Sequence, residues 1–160
     1  MRRDNRNTYE NKFLKFIIMK KTIFILLIII SCFGCKKESL KDTDLLKTTW
    51  VLSYIQDTKT QAITNFPGDA SKKISIVFND PSDIISFSGI CNGGEGTYTY
   101  SSITGEIKVT DLITTLIGCK YVEWETYTVQ SLYYASSYKI SDNNLAIYTS
   151  GSYNLYFTKN

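Results

Sequence analysis

Reactive chemistry in this chain would have to come from Cys32, Cys35, Cys91 and Cys119, its four cysteines, and from a few acids. The sequence contains no histidine. That removes the base of Ser-His-Asp and Cys-His nucleophiles and the commonest zinc ligand. Cys91 and Cys119 then admit three readings. As a metal site, two thiols without His and without C-x2-C spacing make half a zinc site at best. As a nucleophile, neither has a His partner to generate its thiolate. As a structural pair in an exported protein they make sense, either as a disulfide or as two neighbouring core thiols. A disulfide here would stabilise by about 3.5 kcal/mol, less any native strain. Glu95, Glu123 and Glu125 are the candidate acids. Glu123 and Glu125 are two positions apart and diverge on a helix, so they read as solvated charge at a helix N-terminus, where the macrodipole favours it. Neither a metal nor a cofactor is implied, and no enzyme is expected.

The first two cysteines belong to an address rather than to a site. Lys20-Lys21 and the apolar run from Thr22 to Ile30 form a charged opening and a short hydrophobic region. Thr22 to Gly34 is about a dozen residues, too few for a bilayer core that needs roughly 20. The length suits a cleaved secretory signal. A small residue followed by Cys at its end resembles the lipobox of bacterial lipoproteins, whose Cys is acylated and becomes the N-terminus. Ile29-Ile30-Ser31 before Cys32 fits that pattern best. Cys35, preceded by Gly34, is the alternative, and its acylation would leave Cys91 and Cys119 as an even pair. Residues 1–35 are thus read as signal peptide, with Met19 as the expected true start and 1–18 upstream of it. Residues 36–44 are read as a tether and 45–160 as the domain. Lys36-Lys37-Glu38 resembles the segment after the lipobox in lipoproteins of the Bacteroidetes.

Charge excludes one class of partner. The net charge of +3 is carried by basic residues ahead of the apolar run, whereas from Lys36 onward acids outnumber lysines and Arg is absent. A nucleic-acid binder needs a concentrated basic face. No nucleic acid is expected as a partner.

The elements that must position Cys91 and Cys119 are strands. Twelve tyrosines and many threonines suit a pleated, half-buried surface. Trp50, Leu52 and Tyr54 alternate, as do Ile74, Ile76 and Phe78. Asp57 to Ser71, with Pro67-Gly68, reads as a long loop, and Asn79 to Asp83 as a turn. Ile84 to Ser88 leads into a corner, Gly89-Ile90-Cys91-Asn92-Gly93-Gly94-Glu95-Gly96, whose glycines supply positive φ or close approach. Tyr98 to Tyr100 and Ile107 to Val109 follow as strands. Lys120 to Ser136 reads as one amphipathic helix, with Val122, Val129 and Tyr133 on its apolar side, widened by Trp124, Tyr127 and Leu132. Tyr138 to Ile140, Leu145 to Tyr148 and Tyr153 to Phe157 close the chain. The expected fold is mainly β (α+β): a small antiparallel barrel or strongly curved sheet of seven or eight short strands, with one packed helix.

Cys91-Asn92-x3-Gly96-x-Tyr98 and Thr115-x3-Cys119 resemble the signature of the META domain, the HslJ-like group of small envelope proteins. The opening Trp50, the Gly89 corner and the late helix also follow in family order. Ile90 departs from the pattern, which commonly has Gly there. The resemblance implies a non-catalytic envelope protein, linked to stress or envelope maintenance and acting through protein contacts. Together with the lipobox it places the chain in the bacterial cell envelope, with an outer-membrane lipid anchor and an envelope protein as partner. A lipocalin-like small-ligand barrel is the alternative, distinguished by an open apolar interior. A small periplasmic protease inhibitor is another, with Asp57 to Ser71 as its only candidate reactive loop.

Overall fold

The computed structural model describes Asp42, residues 44–70 and residues 72–160. The expected signal peptide, most of the expected tether, and Cys32 and Cys35 lie outside the described residues. The elements are β1 (Thr49–Asp57), β2 (Ile63–Asn65), β3 (Ser75–Asn79), β4 (Ile84–Ser88), β5 (Gly93–Tyr100), β6 (Ile107–Thr114), α1 (Val122–Tyr133), β7 (Ala135–Ser141), β8 (Asn144–Thr149) and β9 (Tyr153–Lys159). One antiparallel sheet runs in the order β6-β5-β4-β3-β1-β9-β8-β7, with β2 added beside β1. It curls into a half-barrel. Its edge strands approach at one end, where Glu106 bridges Ser137 and the Tyr138 amide donates to the Gly105 carbonyl at 2.7 Å.

The interior is filled. Trp50, Phe78 and Phe157 are at most 1% exposed, and Ile76, Ile85, Leu145 and Leu155 are fully buried around them. The Trp50 indole donates to the Leu45 carbonyl at 3.1 Å, satisfying its one polar atom. Asp42 is already part of this fold, since the Tyr138 hydroxyl donates to its carboxylate at 2.9 Å. The strands alternate as expected over β3 and β4, where Ile76, Phe78, Ile85 and Phe87 point inward.

Register shifts break the alternation elsewhere, in β1, β6 and β7. In β1 the register passes from Leu52–Phe157 to Tyr54–Tyr156, so Ser53 is the extra residue. The parity then flips: Ile55 is buried, and Tyr54 leaves the Trp50–Leu52 face to stack on Tyr156 at 4.4 Å. In β6 the register passes from Glu95–Ile113 to Thr97–Thr110, and Asp111 takes a φ of 53°. Val109 and Leu112, three apart, are both buried as a result.

The second bulge explains a glycine. A β-carbon on Gly96 would stand 2.8 Å from Leu112 Cα and 2.8 Å from the Thr110 carbonyl oxygen. Close approach, rather than positive φ, is what selects glycine here. Gly93 to Tyr100 is strand throughout, so the bend expected across Gly89–Gly96 is confined to Gly89–Asn92. Tyr98, two residues on and on the same face as Gly96, packs edge-on against Phe78 at 5.0 Å and donates to the Asn79 carbonyl at 3.1 Å. Burial, with Asp83 nearby, pushes its hydroxyl up to about 12.

The helix corrects the expected face. Its buried residues are Trp124, Glu125, Thr128, Ser131 and Leu132, whereas Val122 and Val129 are half-buried and Tyr133 is exposed. Thr128 enters the core because its hydroxyl donates to the Trp124 carbonyl at 2.7 Å, which removes the cost of burying it. The long loop is also more ordered than expected. It carries β2, and it buries Phe66 edge-on against Trp124 at 5.4 Å. The Tyr121 hydroxyl and the Lys120 ammonium hold Asp69, at 2.6 and 3.1 Å, and keep its carboxyl below the usual range.

Candidate functional site

β4 ends at Ser88, and the chain turns through Gly89–Asn92 before β5 departs antiparallel to it. The turn is closed by the Gly89 amide donating to the Asn92 carbonyl at 2.7 Å. Beyond β6, residues 115–119 pass back across this turn as an irregular strap, which leads into α1. Turn, strap and first helical turn therefore meet at one point.

Asn92, 7% exposed, is at the centre, and all four of its amide positions are used. Its Nδ2 donates to Glu125 Oε2 at 2.5 Å and to the Ile117 carbonyl at 2.9 Å. Its Oδ1 accepts from the Thr115 hydroxyl at 2.9 Å and the Ile117 amide at 2.7 Å. An amide side chain offers two donors and two lone pairs on one carbon. Asp would lose both donors, and Gln would misplace them. The Asn92–Thr115 spacing in the sequence is thus a hydrogen-bonded register between turn and strap.

Glu125 completes the knot, and the expectation for it is overturned. It is 3% exposed rather than solvated. Its Oε1 accepts from the amides of Cys91 and Asn92 at 2.8 and 3.2 Å, while Oε2 takes Asn92 Nδ2. Amide donors can hold a buried carboxylate, each such charge-assisted bond contributing about 1.5–3 kcal/mol. Gly89 makes room for it, since a β-carbon there would lie 2.7 Å from Glu125 Cδ. Ile90 departs from the family pattern without disturbing this seat, because the close approach falls at Gly89; Ile90 itself is buried in the core.

The Cys91–Cys119 disulfide ties the same two segments, with Cα atoms 6.5 Å apart across 28 residues. Of the open readings, the bonded pair is the one observed. Cys91 Sγ lies 3.7 Å from Glu125 Oε2 and 3.3 Å from the Ile117 carbonyl oxygen. Cys91, Cys119, Gly89, Asn92 and Thr115 are therefore brought together. Gly96 and Tyr98 lie further along β5 and serve the sheet. Glu123 is exposed, as is Glu95. Glu125 is the residue that sequence reasoning missed; its place beside the Trp124–Thr128–Leu132 stripe is the signal that pointed to burial.

Outside the knot the strap is apolar and open to solvent. Leu116 is 95% exposed, with Ile113 and Ile117 beside it also exposed. Between strap and α1 runs an open groove of about 400 Å³, whose apolar lining is Phe87, Leu116, Ile117, Val122 and Val129. By contrast the half-barrel itself encloses packed side chains, so the feature that would mark a lipocalin-like interior is not what fills it. The candidate inhibitor loop is pinned at β2 and Asp69 rather than projecting as a free arm.

Comparison with known proteins agrees with this geometry. A protein from Burkholderia xenovorans solved by NMR superposes with a TM-score of 0.61 at 18% identity, covering 72% of this chain and 83% of its own. A DUF4847 family protein from Bacteroides vulgatus superposes at 0.56 with 15% identity, covering 72% of this chain and 94% of its own. These likenesses speak to fold alone. No curated protein matches the chain. The model of the META domain matches residues 43–160, the span that holds the half-barrel, the Asn92–Thr115 register and both bonded cysteines. The chain belongs to the META domain family.

Proposed function

We propose that this protein is a non-catalytic envelope lipoprotein whose META domain docks a partner protein through the strap. Its acyl anchor is Cys32, or Cys35 in the alternative processing, and the domain faces the periplasm or the cell surface. A role in envelope maintenance or stress follows from the family resemblance. The reading is carried by one observation: Leu116 is held 95% exposed on a segment locked by Asn92 on one side and a disulfide on the other. A free loop loses conformational entropy when a partner fixes its leucine. A rigid one presents it, and preorganisation reduces the entropy lost on association. An exposed apolar patch beside an apolar groove is a common mark of a protein contact.

The test places a photo-cross-linking residue at position 116 in the intact lipoprotein, in cells, with the exposed position 139 on β7 as control. A discrete adduct of one mass from position 116 alone is expected. Equal labelling from both positions, or none from either, would refute the docking surface. Anchoring is tested separately: Cys32→Ser with Cys35→Ser should release the protein from membranes or block its processing. A double variant that still fractionates with membrane would overturn the acyl anchor.

A further inference from the structure

Two thiols alone make half a metal site, but the fold adds a third ligand. Cys91 Sγ, Cys119 Sγ and a Glu125 carboxylate oxygen all lie within 4.8 Å of one another. Glu125 Oε1 is saturated by two backbone amides, whereas Oε2 accepts only Asn92 Nδ2 among these bonds and faces Cys91 Sγ. A carboxylate oxygen has two lone pairs, so one of them remains on the sulfur side. We propose that, when the disulfide is reduced, Cys91, Cys119 and Glu125 bind a thiophilic divalent cation of the zinc class.

The chemistry balances with an external dithiol as reductant. One of its thiolates attacks a cysteine sulfur and the S–S bond breaks, giving a mixed disulfide. Its second thiolate attacks the reductant's own sulfur in that mixed disulfide, the cysteine still held there leaves as a thiolate, and the reductant departs as a cyclic disulfide. Two electrons and two protons have then passed to Cys91 and Cys119. The cation displaces both protons to solvent and accepts an electron pair from each sulfur. Two thiolates and a carboxylate would repel one another; a dication between them removes that repulsion. Thiolates select zinc-class ions over magnesium or calcium. Three protein ligands leave a fourth, open position, the pattern of zinc sites that exchange water.

The test uses the full chain carrying Cys32→Ser and Cys35→Ser, so that Cys91 and Cys119 are its only thiols. It is reduced with a dithiol, desalted without oxygen, and titrated with cobalt(II) as a spectroscopic stand-in for zinc. One equivalent should give a near-ultraviolet thiolate-to-cobalt band and intense visible bands of a four-coordinate ion, both abolished by zinc. The oxidised chain should give neither. Cys91→Ser should lose the thiolate band by half or more. Glu125→Gln, folded by circular dichroism, should bind cobalt at least about tenfold more weakly, the scale on which even outer-shell changes act. A reduced, folded chain without the thiolate band would overturn the site. So would equal binding by the oxidised chain, or an unchanged affinity in Glu125→Gln. If reduction unfolds the chain, cobalt must refold it with the same spectrum, and failure to do so also overturns the proposal.

Discussion

The interior of the half-barrel and the knot beside it are both buried, yet they are held in different ways. Around Phe78, Ile85 and Phe157 the contacts are apolar and non-directional, so an apolar side chain of similar volume keeps most of the energy. Around Asn92 and Glu125 every bond has a direction and a partner, and a lost partner strands a buried charge. The interior tolerates variation, and the knot specifies one chemistry.

Matched conservative substitutions separate the two regions most clearly. Asn92→Asp keeps the shape of the side chain but sets a second carboxylate 2.5 Å from Glu125 Oε2, and it should destabilise by about 3–5 kcal/mol. Ile85→Val, equally conservative and fully buried, should cost only about 0.5–1.5 kcal/mol. Urea melts of the two read the difference directly, and equal costs would erase the distinction. Next in size is the covalent tie. Cys91→Ala with Cys119→Ala should lower stability by up to about 3.5 kcal/mol, through entropy restored to the unfolded chain, and leave the far-ultraviolet spectrum of the sheet intact. Gly96→Val lies outside the knot, on β5 opposite the β6 bulge, and should cost about 1–3 kcal/mol by overpacking against Leu112 and Thr110. An unchanged midpoint would show that the bulge can yield. Leu116→Ser should be the smallest, within about 0.5 kcal/mol, because that side chain is already in water. Under the proposed docking its effect falls on partner capture, and a large loss of stability there would mean the strap packs inward in solution.

The interior was largely legible in the sequence, since alternation of Ile74, Ile76 and Phe78, or of Ile85 and Phe87, reports a face whenever the strand is regular. It misleads where a bulge intervenes. Ser53 and Asp111 each add one residue, and Tyr54 changes sides because of it. The cysteines, Asn92 and Thr115 were visible as a family pattern, and the disulfide as one reading of the pair, but the hydrogen bonds of Asn92 were not, because they cross between segments far apart in the chain. Glu125 was hidden for a simpler reason. A carboxylate in the first turn of a helix suits the macrodipole and solvent, and only the tertiary arrival of the Cys91 and Asn92 amides makes its burial favourable. The helix face was misread likewise, since Thr128 and Ser131 satisfy themselves within the structure and enter the core as small polar residues.

The knot rests on a direct coupling between Asn92 and Glu125, which a double-mutant cycle measures. Asn92→Asp, Glu125→Gln and their combination would be unfolded in urea beside the parent chain. Glu125→Gln puts an amide opposite the new carboxylate, so the double variant should recover at least about 1.5 kcal/mol relative to the sum of the single losses. Additivity within about 0.3–0.5 kcal/mol would mean that the two residues act independently, and the knot would not be the unit described.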